Sequence, residues 1–121
     1  ISIAKQAKQA LHQTNLTFQQ TELLKFTQPF DIITCTEVIE HIADDRQFLK
    51  KIVANLKPNG WLLLSTPSRD NFLTKIGYYR SFDQEVGHVR RYSLAEITQL
   101  CTQAGLTVRS AQTVEGPLRS L

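Results

Sequence analysis

The sequence contains no methionine in its 121 residues, position 1 included. An open reading frame starts with one, so a processed chain or a fragment is expected. Cysteine is nearly as scarce. Cys35 and Cys101 form neither a disulfide framework nor a metal-knuckle spacing. Cys35 falls in an apolar, strand-like run and Cys101 on the apolar side of an expected helix, so both read as core thiols, suited to a reducing cytoplasm. No glycine precedes Gly60, which excludes a Gly-rich cradling turn from the first half. Long apolar runs are missing too: Trp61-Leu62-Leu63-Leu64 is far short of the roughly 20 residues that cross a bilayer. Neither a basic nor an apolar signal-peptide region follows Ile1, so no leader is expected. No block of like charge occurs, and the net charge of +3 is too mild to favour nucleic acid as a partner.

What is present suits one ordinary globular domain, with 41% apolar and 21% charged residues, both typical of soluble proteins. Ser2 caps an expected helix with Ile3, Ala7 and Leu11 at helical spacing. Leu16 to Gln20 alternates as a short strand does, and Phe30 to Cys35 reads as a buried strand. Asp44 or Asp45 opens a helix whose inner face is Phe48, Leu49, Ile52, Val53 and Leu56. Lys57-Pro58-Asn59-Gly60 ends it. Trp61 to Ser65 is the next buried strand, closed by Thr66-Pro67. Ser93-Leu94-Ala95-Glu96 forms a capping box for a helix carrying Leu94, Ile97, Leu100, Cys101 and Ala104, ended by Gly105. Leu106 to Val114 is expected as a last strand. Helix and strand alternate, which predicts an α/β fold: a parallel sheet of four strands with helices on both faces. A parallel sheet whose pattern opens on a helix lacks its first strands, so residues 1–121 are expected to be part of a domain.

Ligands of such sheets sit at the carboxyl ends of the strands, and there the chemistry-bearing residues follow. Glu37, Glu40 and His41 lie at i, i+3 and i+4, one face of a helical turn. Two carboxylates and an imidazole suit a divalent-metal site or acid–base work. The plainer alternative is a solvated helix N-terminus, where glutamates suit the macrodipole.

The run Phe30-Asp31-Ile32-Ile33-Thr34-Cys35-Thr36-Glu37-Val38-Ile39-Glu40-His41-Ile42, then Leu56-Lys57-Pro58-Asn59-Gly60 and Ser65-Thr66-Pro67, resembles the centre of class I S-adenosylmethionine-dependent methyltransferases. Each piece is weak alone; their order and distances carry the resemblance, which covers Phe30 to Ser68 well. It is nearest to the ubiquinone-pathway O-methyltransferases, which share the Thr-Cys-x-Glu-x-x-Glu-His run and a Gln-x-Thr stretch, here Gln19-Gln20-Thr21. The resemblance implies a Rossmann-like methyltransferase sheet without its N-terminal βαβ portion, S-adenosyl-L-methionine as cofactor and a small-molecule hydroxyl as acceptor. It places the cofactor at Thr36, with Gln20 and Thr21 near the adenine. The family's Gly-rich loop and ribose-binding acid are expected upstream of Ile1, so this stretch alone is expected to bind cofactor poorly. A homodimer is left open.

A second resemblance is to small-RNA 3′-terminal 2′-O-methyltransferases, which hold a divalent metal with Glu-x-x-Glu-His and a later His. His88, in Gly87-His88-Val89-Arg90-Arg91-Tyr92, stands where that later His would be. It implies Mg²⁺ or Mn²⁺ on Glu37, Glu40, His41 and His88, lowering the pKa of a vicinal hydroxyl. His41 as a metal-free general base, or a structural hydrogen-bonding role for the group, are the alternatives. RNA methylation and a non-catalytic binding module are the rival functions. Between Arg69 and Tyr92, the aromatics Phe72, Tyr78, Tyr79 and Phe82 and several arginines form a long connection. It is expected either to cover an acceptor pocket or to pack on the sheet.

Overall fold

The computed structural model describes residues 2–12, 14–22, 25–70, 74, 76–77 and 79–114. Its centre is one β–α–β unit. Strand β1 (Phe30–Thr36) is joined through a 3₁₀ turn (Ile39–His41) and helix α2 (Asp45–Ala54) to strand β2 (Leu56–Ser65). Helix α1 (Ser2–Ala10) precedes this unit, and α3 (Arg80–Val86) and α4 (Leu94–Gln103) follow it.

The strands are parallel, and their register sets Ile33 against Leu62 and Cys35 against Leu64 on one face. That face meets Phe48, Leu49 and Ile52 of α2 and Ile97, Leu100 and Cys101 of α4 in one apolar cluster. On the opposite face Ile32, Trp61 and Leu63 are exposed. Burial on one face only reflects the period of two along a strand. The register jumps between Phe30–Leu56 and Ile32–Trp61, because Lys57-Pro58-Asn59-Gly60 loops out of the ladder. Asn59 there is left-handed at φ 63. A side chain at Gly60 would come within 2.9 Å of the Lys57 carbonyl and 3.1 Å of the Asp31 carbonyl, so the loop needs glycine.

Local chemistry sets the helix ends. Asp44 accepts a hydrogen bond from the Gln47 amide and caps α2. Asn55 closes that helix and is buried; its side-chain oxygen accepts from the Gln28 amide at 2.9 Å and its nitrogen donates to the Lys51 carbonyl at 3.0 Å. Leu56 therefore begins β2 rather than ending the helix face. The capping box at α4 forms as expected, Glu96 N–H to Ser93 Oγ and Ser93 N–H to Glu96 Oε2.

Three expectations need correction. Leu16 to Gln20 and Leu106 to Val114 have no regular structure, so the sheet of the described residues has two strands, not four. Alternation alone does not make a strand, since its backbone groups need a ladder partner. Helix α1 forms, with Ser2 inside it, but buries nothing: Ile3 and Leu11 are exposed.

Burial also raises the pKa of Cys35, Tyr92 and Cys101. It pushes the Cys35 thiol from its ordinary 9.0 up to about 11, with Glu40 and Cys101 adding to the effect. Burial, then the hydrogen bond to Asp45, pushes the Tyr92 hydroxyl from 10.0 up to about 12. The unfolded chain loses these protons first, so stability is full below pH 9 and falls as pH rises toward 11 and 12. The expected loss by pH 11 is on the order of 2 kcal/mol, read from chemical unfolding followed by circular dichroism at stepped pH. A flat profile to pH 11 would contradict it.

Candidate functional site

The site is built where the chain leaves β1. Glu37 takes the left-handed conformation, φ 53, which is uncommon without glycine. Its amide donates to the Ser65 carbonyl at 3.0 Å and its Oε1 accepts from the Ser65 hydroxyl at 2.9 Å. It therefore ties the ends of the two strands together. The helical face expected for Glu37, Glu40 and His41 does not form, because only Ile39–His41 turns and Glu37 lies before that turn in another conformation.

Glu40 is fully buried. Thr66 donates its hydroxyl to Oε2 at 3.1 Å, while Oε1 has no hydrogen-bond partner. Such a buried, unsatisfied atom is costly. His41 Nε2 lies 3.9 Å from Oε1, too far for a hydrogen bond. His41 Nδ1 lies 3.1 Å from the Gly87 carbonyl. A carbonyl only accepts, so Nδ1 carries the hydrogen, and the neutral ring presents a lone pair at Nε2.

His88 arrives from beyond α3 and is held by its neighbours. The Val89 amide donates to the Glu40 carbonyl at 2.8 Å. The Arg90 guanidinium donates to the Ala43 carbonyl at 2.8 Å and pairs with Asp45, whose Oδ2 also accepts from Tyr92 at 2.8 Å. His88 Nδ1 sits 2.8 Å from Asp83 Oδ1. The hydrogen bond from Arg91, joined by that from His88, holds the Asp83 carboxyl below its usual range in spite of burial. An ionised carboxylate only accepts, so His88 also carries its hydrogen at Nδ1.

The rings of His41 and His88 meet edge-on, centroids 4.8 Å apart. Ligand atoms of Glu40, His41 and His88 all lie within 4.8 Å of one another. One ring nitrogen of each histidine thus stands near a carboxylate oxygen of the buried Glu40, an arrangement that a cation could bridge. The donor set, two imidazoles and a carboxylate, fits a divalent transition metal or a hard cation with added water. Glu37 is outside this group.

Residues 1–111 match the family model described as a methyltransferase domain. The chain belongs to that family. It is 42% identical over 72 residues to "Ubiquinone biosynthesis O-methyltransferase" of Coxiella burnetii (strain RSA 493 / Nine Mile phase I), covering 58% of this chain and 31% of the relative. It is 52% identical over 40 residues to "Ubiquinone biosynthesis O-methyltransferase, mitochondrial" of Schizosaccharomyces pombe, covering 33% of this chain and 15% of the relative. With the Rickettsia prowazekii protein named "Ubiquinone biosynthesis O-methyltransferase" the identity is 42% over 48 residues, 40% of this chain and 19% of the relative. The chain spans about a third or less of the length of these curated relatives.

In this methyltransferase domain Thr36 ends β1 and is exposed, at the strand terminus where ligands of such sheets bind. Gln20 and Thr21 are exposed and in no regular element, so the strand expected to carry them to the sheet is absent. A cavity of about 560 Å³ lies against His88, with Ile76, Tyr79, Arg80, Asp83 and Arg91 among its walls. Tyr79 lies under Arg91 at 4.7 Å; Phe72 and Tyr78 lie outside the described residues. The connection expected as a long loop contains α3, ended by Gly87 at φ 75, the left-handed position that favours glycine. Asp83 and Asn55 were not singled out by the sequence, and Arg91 only as one of the arginines of that connection. An acid five residues before His88 and a base three after it were the available signals. No helix of the described residues is long and apolar enough to cross a membrane.

Proposed function

We propose that the protein is an S-adenosylmethionine-dependent O-methyltransferase acting on a small molecule with vicinal hydroxyls, its reaction site formed by Glu40, His41 and His88. The observation that carries this reading is the convergence of these three residues, with Glu40 Oε1 buried and unpartnered, beside the cavity lined by His88. The three relatives are named as O-methyltransferases, which supports the oxygen acceptor. The Rossmann-like sheet with helices on both faces belongs to the same proposal. The exposed apolar side chains of Ile32, Trp61 and Leu63 are of the kind a helix layer covers.

Thr36 and the strand-tying Glu37 border the cofactor, with Gln20 and Thr21 assigned to its adenine end. The acceptor occupies the cavity, one hydroxyl turned to the three converging ligands. There Glu40, His41 and His88 would hold Mg²⁺ or Mn²⁺, which would lower the pKa of the acceptor hydroxyl. The acceptor oxygen bonds to the methyl carbon as the carbon–sulfur bond breaks, and its proton passes to solvent or base. Alignment of these atoms and removal of that proton are what the protein contributes. A second reading has His41 as a metal-free base, and one observation favours it: Nδ1 is fixed on the Gly87 carbonyl while Nε2 lies 3.9 Å from Glu40 Oε1, with the side chain 38% exposed. The cytoplasm is proposed as its location, on the two buried free thiols.

The test joins binding and turnover in the full-length protein, not in residues 1–121 alone. Micromolar binding of S-adenosylhomocysteine by calorimetry is expected, with methyl transfer to a catechol that EDTA stops and Mg²⁺ or Mn²⁺ restores. Activity indifferent to EDTA would select His41 as base. A folded protein that binds no S-adenosylhomocysteine would sink the enzyme reading.

A further inference from the structure

We propose that Asp83, clamped by Arg91, is the positioning residue for His88, fixing its Nδ1–H tautomer and ring plane so that Nε2 is left for the site shared with Glu40 and His41. The inference rests on the site proposed above and adds a residue that is not one of its three ligands.

Two separate bonds join Asp83 to His88. The His88 ring nitrogen meets Oδ1 at 2.8 Å, and the His88 backbone amide donates to the Asp83 carbonyl at 2.8 Å. The left-handed Gly87 that ends α3 turns the chain back so that residue 88 faces residue 83. The carboxylate itself is not free to swing. Arg91 donates from Nε to Oδ2 at 2.7 Å and from Nη2 to Oδ1 at 2.6 Å, a bidentate pair with defined geometry. The Arg91 side chain is 10% exposed and its guanidinium stacks over Tyr79 at 4.7 Å. Phe82 meets the His88 ring edge-on, centroids 6.1 Å apart, and restricts the ring further.

A carboxylate on the far nitrogen of a ligating histidine sets which nitrogen is available and where it is aimed; losing it costs such sites about 10- to 100-fold in metal affinity. Asparagine cannot replace Asp83 in this setting. Arg91 and His88 together present three donors, all of which a carboxylate can accept. An amide has one oxygen, so its NH₂ stands either at the Oδ2 position, facing Arg91 Nε, or at the Oδ1 position, facing both the imidazole and Arg91 Nη2. At the Oδ2 position it meets another donor. At the Oδ1 position it donates to Nδ1 and drives the ring hydrogen to Nε2, which removes the lone pair from the site.

The test reads the His88 tautomer by ¹H–¹⁵N NMR of the imidazole in the metal-free protein, and Mn²⁺ affinity by EPR, for wild type, Asp83→Asn and Asp83→Glu. Expected are Nδ1–H in wild type, a shift to Nε2–H in Asp83→Asn with Mn²⁺ bound 10- to 100-fold more weakly, and return of the Nδ1–H tautomer in Asp83→Glu. A wild-type ring protonated at Nε2 overturns the proposal. So does an Asp83→Asn protein with an unchanged tautomer and Mn²⁺ affinity within about twofold of wild type. If wild type takes no Mn²⁺ but Asp83→Asn still changes the tautomer, the cation reading fails and the positioning role stands. If Asp83→Asn does not fold, the wild-type tautomer decides.

Discussion

Replacing Glu40 by glutamine should lower methyl transfer by about two to four orders of magnitude while leaving the fold nearly as stable as before. Glutamine has the shape of glutamate, so its carbonyl can accept the Thr66 hydroxyl that Oε2 accepts at 3.1 Å. Its NH₂ then stands where Oε1 is buried without a partner, and it faces His41 Nε2, 3.9 Å from that oxygen. A small adjustment lets the amide donate to that lone pair. The substitution thus satisfies the group that the native residue leaves open, and removing a buried charge has little cost or a small benefit to folding. The same change removes the only carboxylate of the three-residue cluster, and with it most of the attraction for a divalent cation. Stability and function should therefore separate. Unfolding midpoints are expected to agree within about 1 kcal/mol, whereas turnover and Mn²⁺ binding collapse together. Equal loss of both stability and turnover would mean that Glu40 is a packing element. Turnover within about threefold of wild type would move the chemistry away from this cluster.

How much of this was legible in the sequence depends on the range of the interactions involved. The Phe30–Cys35 strand, the Asp44 cap, Phe48, Leu49 and Ile52 of α2 and the Ser93–Glu96 box are settled within a few residues and stand where local pattern put them, although the strand is buried on one face only and Leu56 begins β2. Strands at Leu16–Gln20 and Leu106–Val114 needed a neighbouring strand, which no local pattern supplies, and neither formed. The site divides in the same way. Glu40 and His41 are adjacent, and His88 joins them through Val89, Arg90 and Gly87 contacts, so the resemblance that linked them reflects a real juxtaposition. Glu37 was grouped with them on helical spacing, which its left-handed backbone breaks. Asp83 was marked only by its spacing from His88 and was not read. Its role depends on a chain reversal at Gly87 and on a guanidinium eight residues away.

Truncation of Leu49 to alanine should destabilise the protein by about 2–5 kcal/mol, the largest stability loss expected from one side chain of this core. Leu49 is fully buried on the inner face of α2, in one cluster with Ile39, Ile52 and Cys35. Among the described residues the sheet is two strands wide and its other face is open, so few other apolar contacts can compensate a cavity there. Leu63→Ala provides the contrast. Leu63 has the same chemistry but is 56% exposed on the bare face, and its loss should stay near or below 1 kcal/mol. Urea unfolding gives both values, and an unchanged m-value would show that the folded state rather than the unfolded chain was altered. The effect should reach the site. Ile39 opens the 3₁₀ turn that carries Glu40 and His41, and it packs in the cluster from which Leu49 is removed. Loosening Ile39 frees the turn, so Mn²⁺ affinity should fall in Leu49→Ala even at temperatures where the variant is folded, and remain unchanged in Leu63→Ala. If the two variants lose equal stability, the α2 side of the sheet is not the core. If Leu49→Ala is destabilised but holds Mn²⁺ as wild type does, the turn is positioned by its polar bonds to Thr66, Gly87 and Val89 rather than by the packing beneath it.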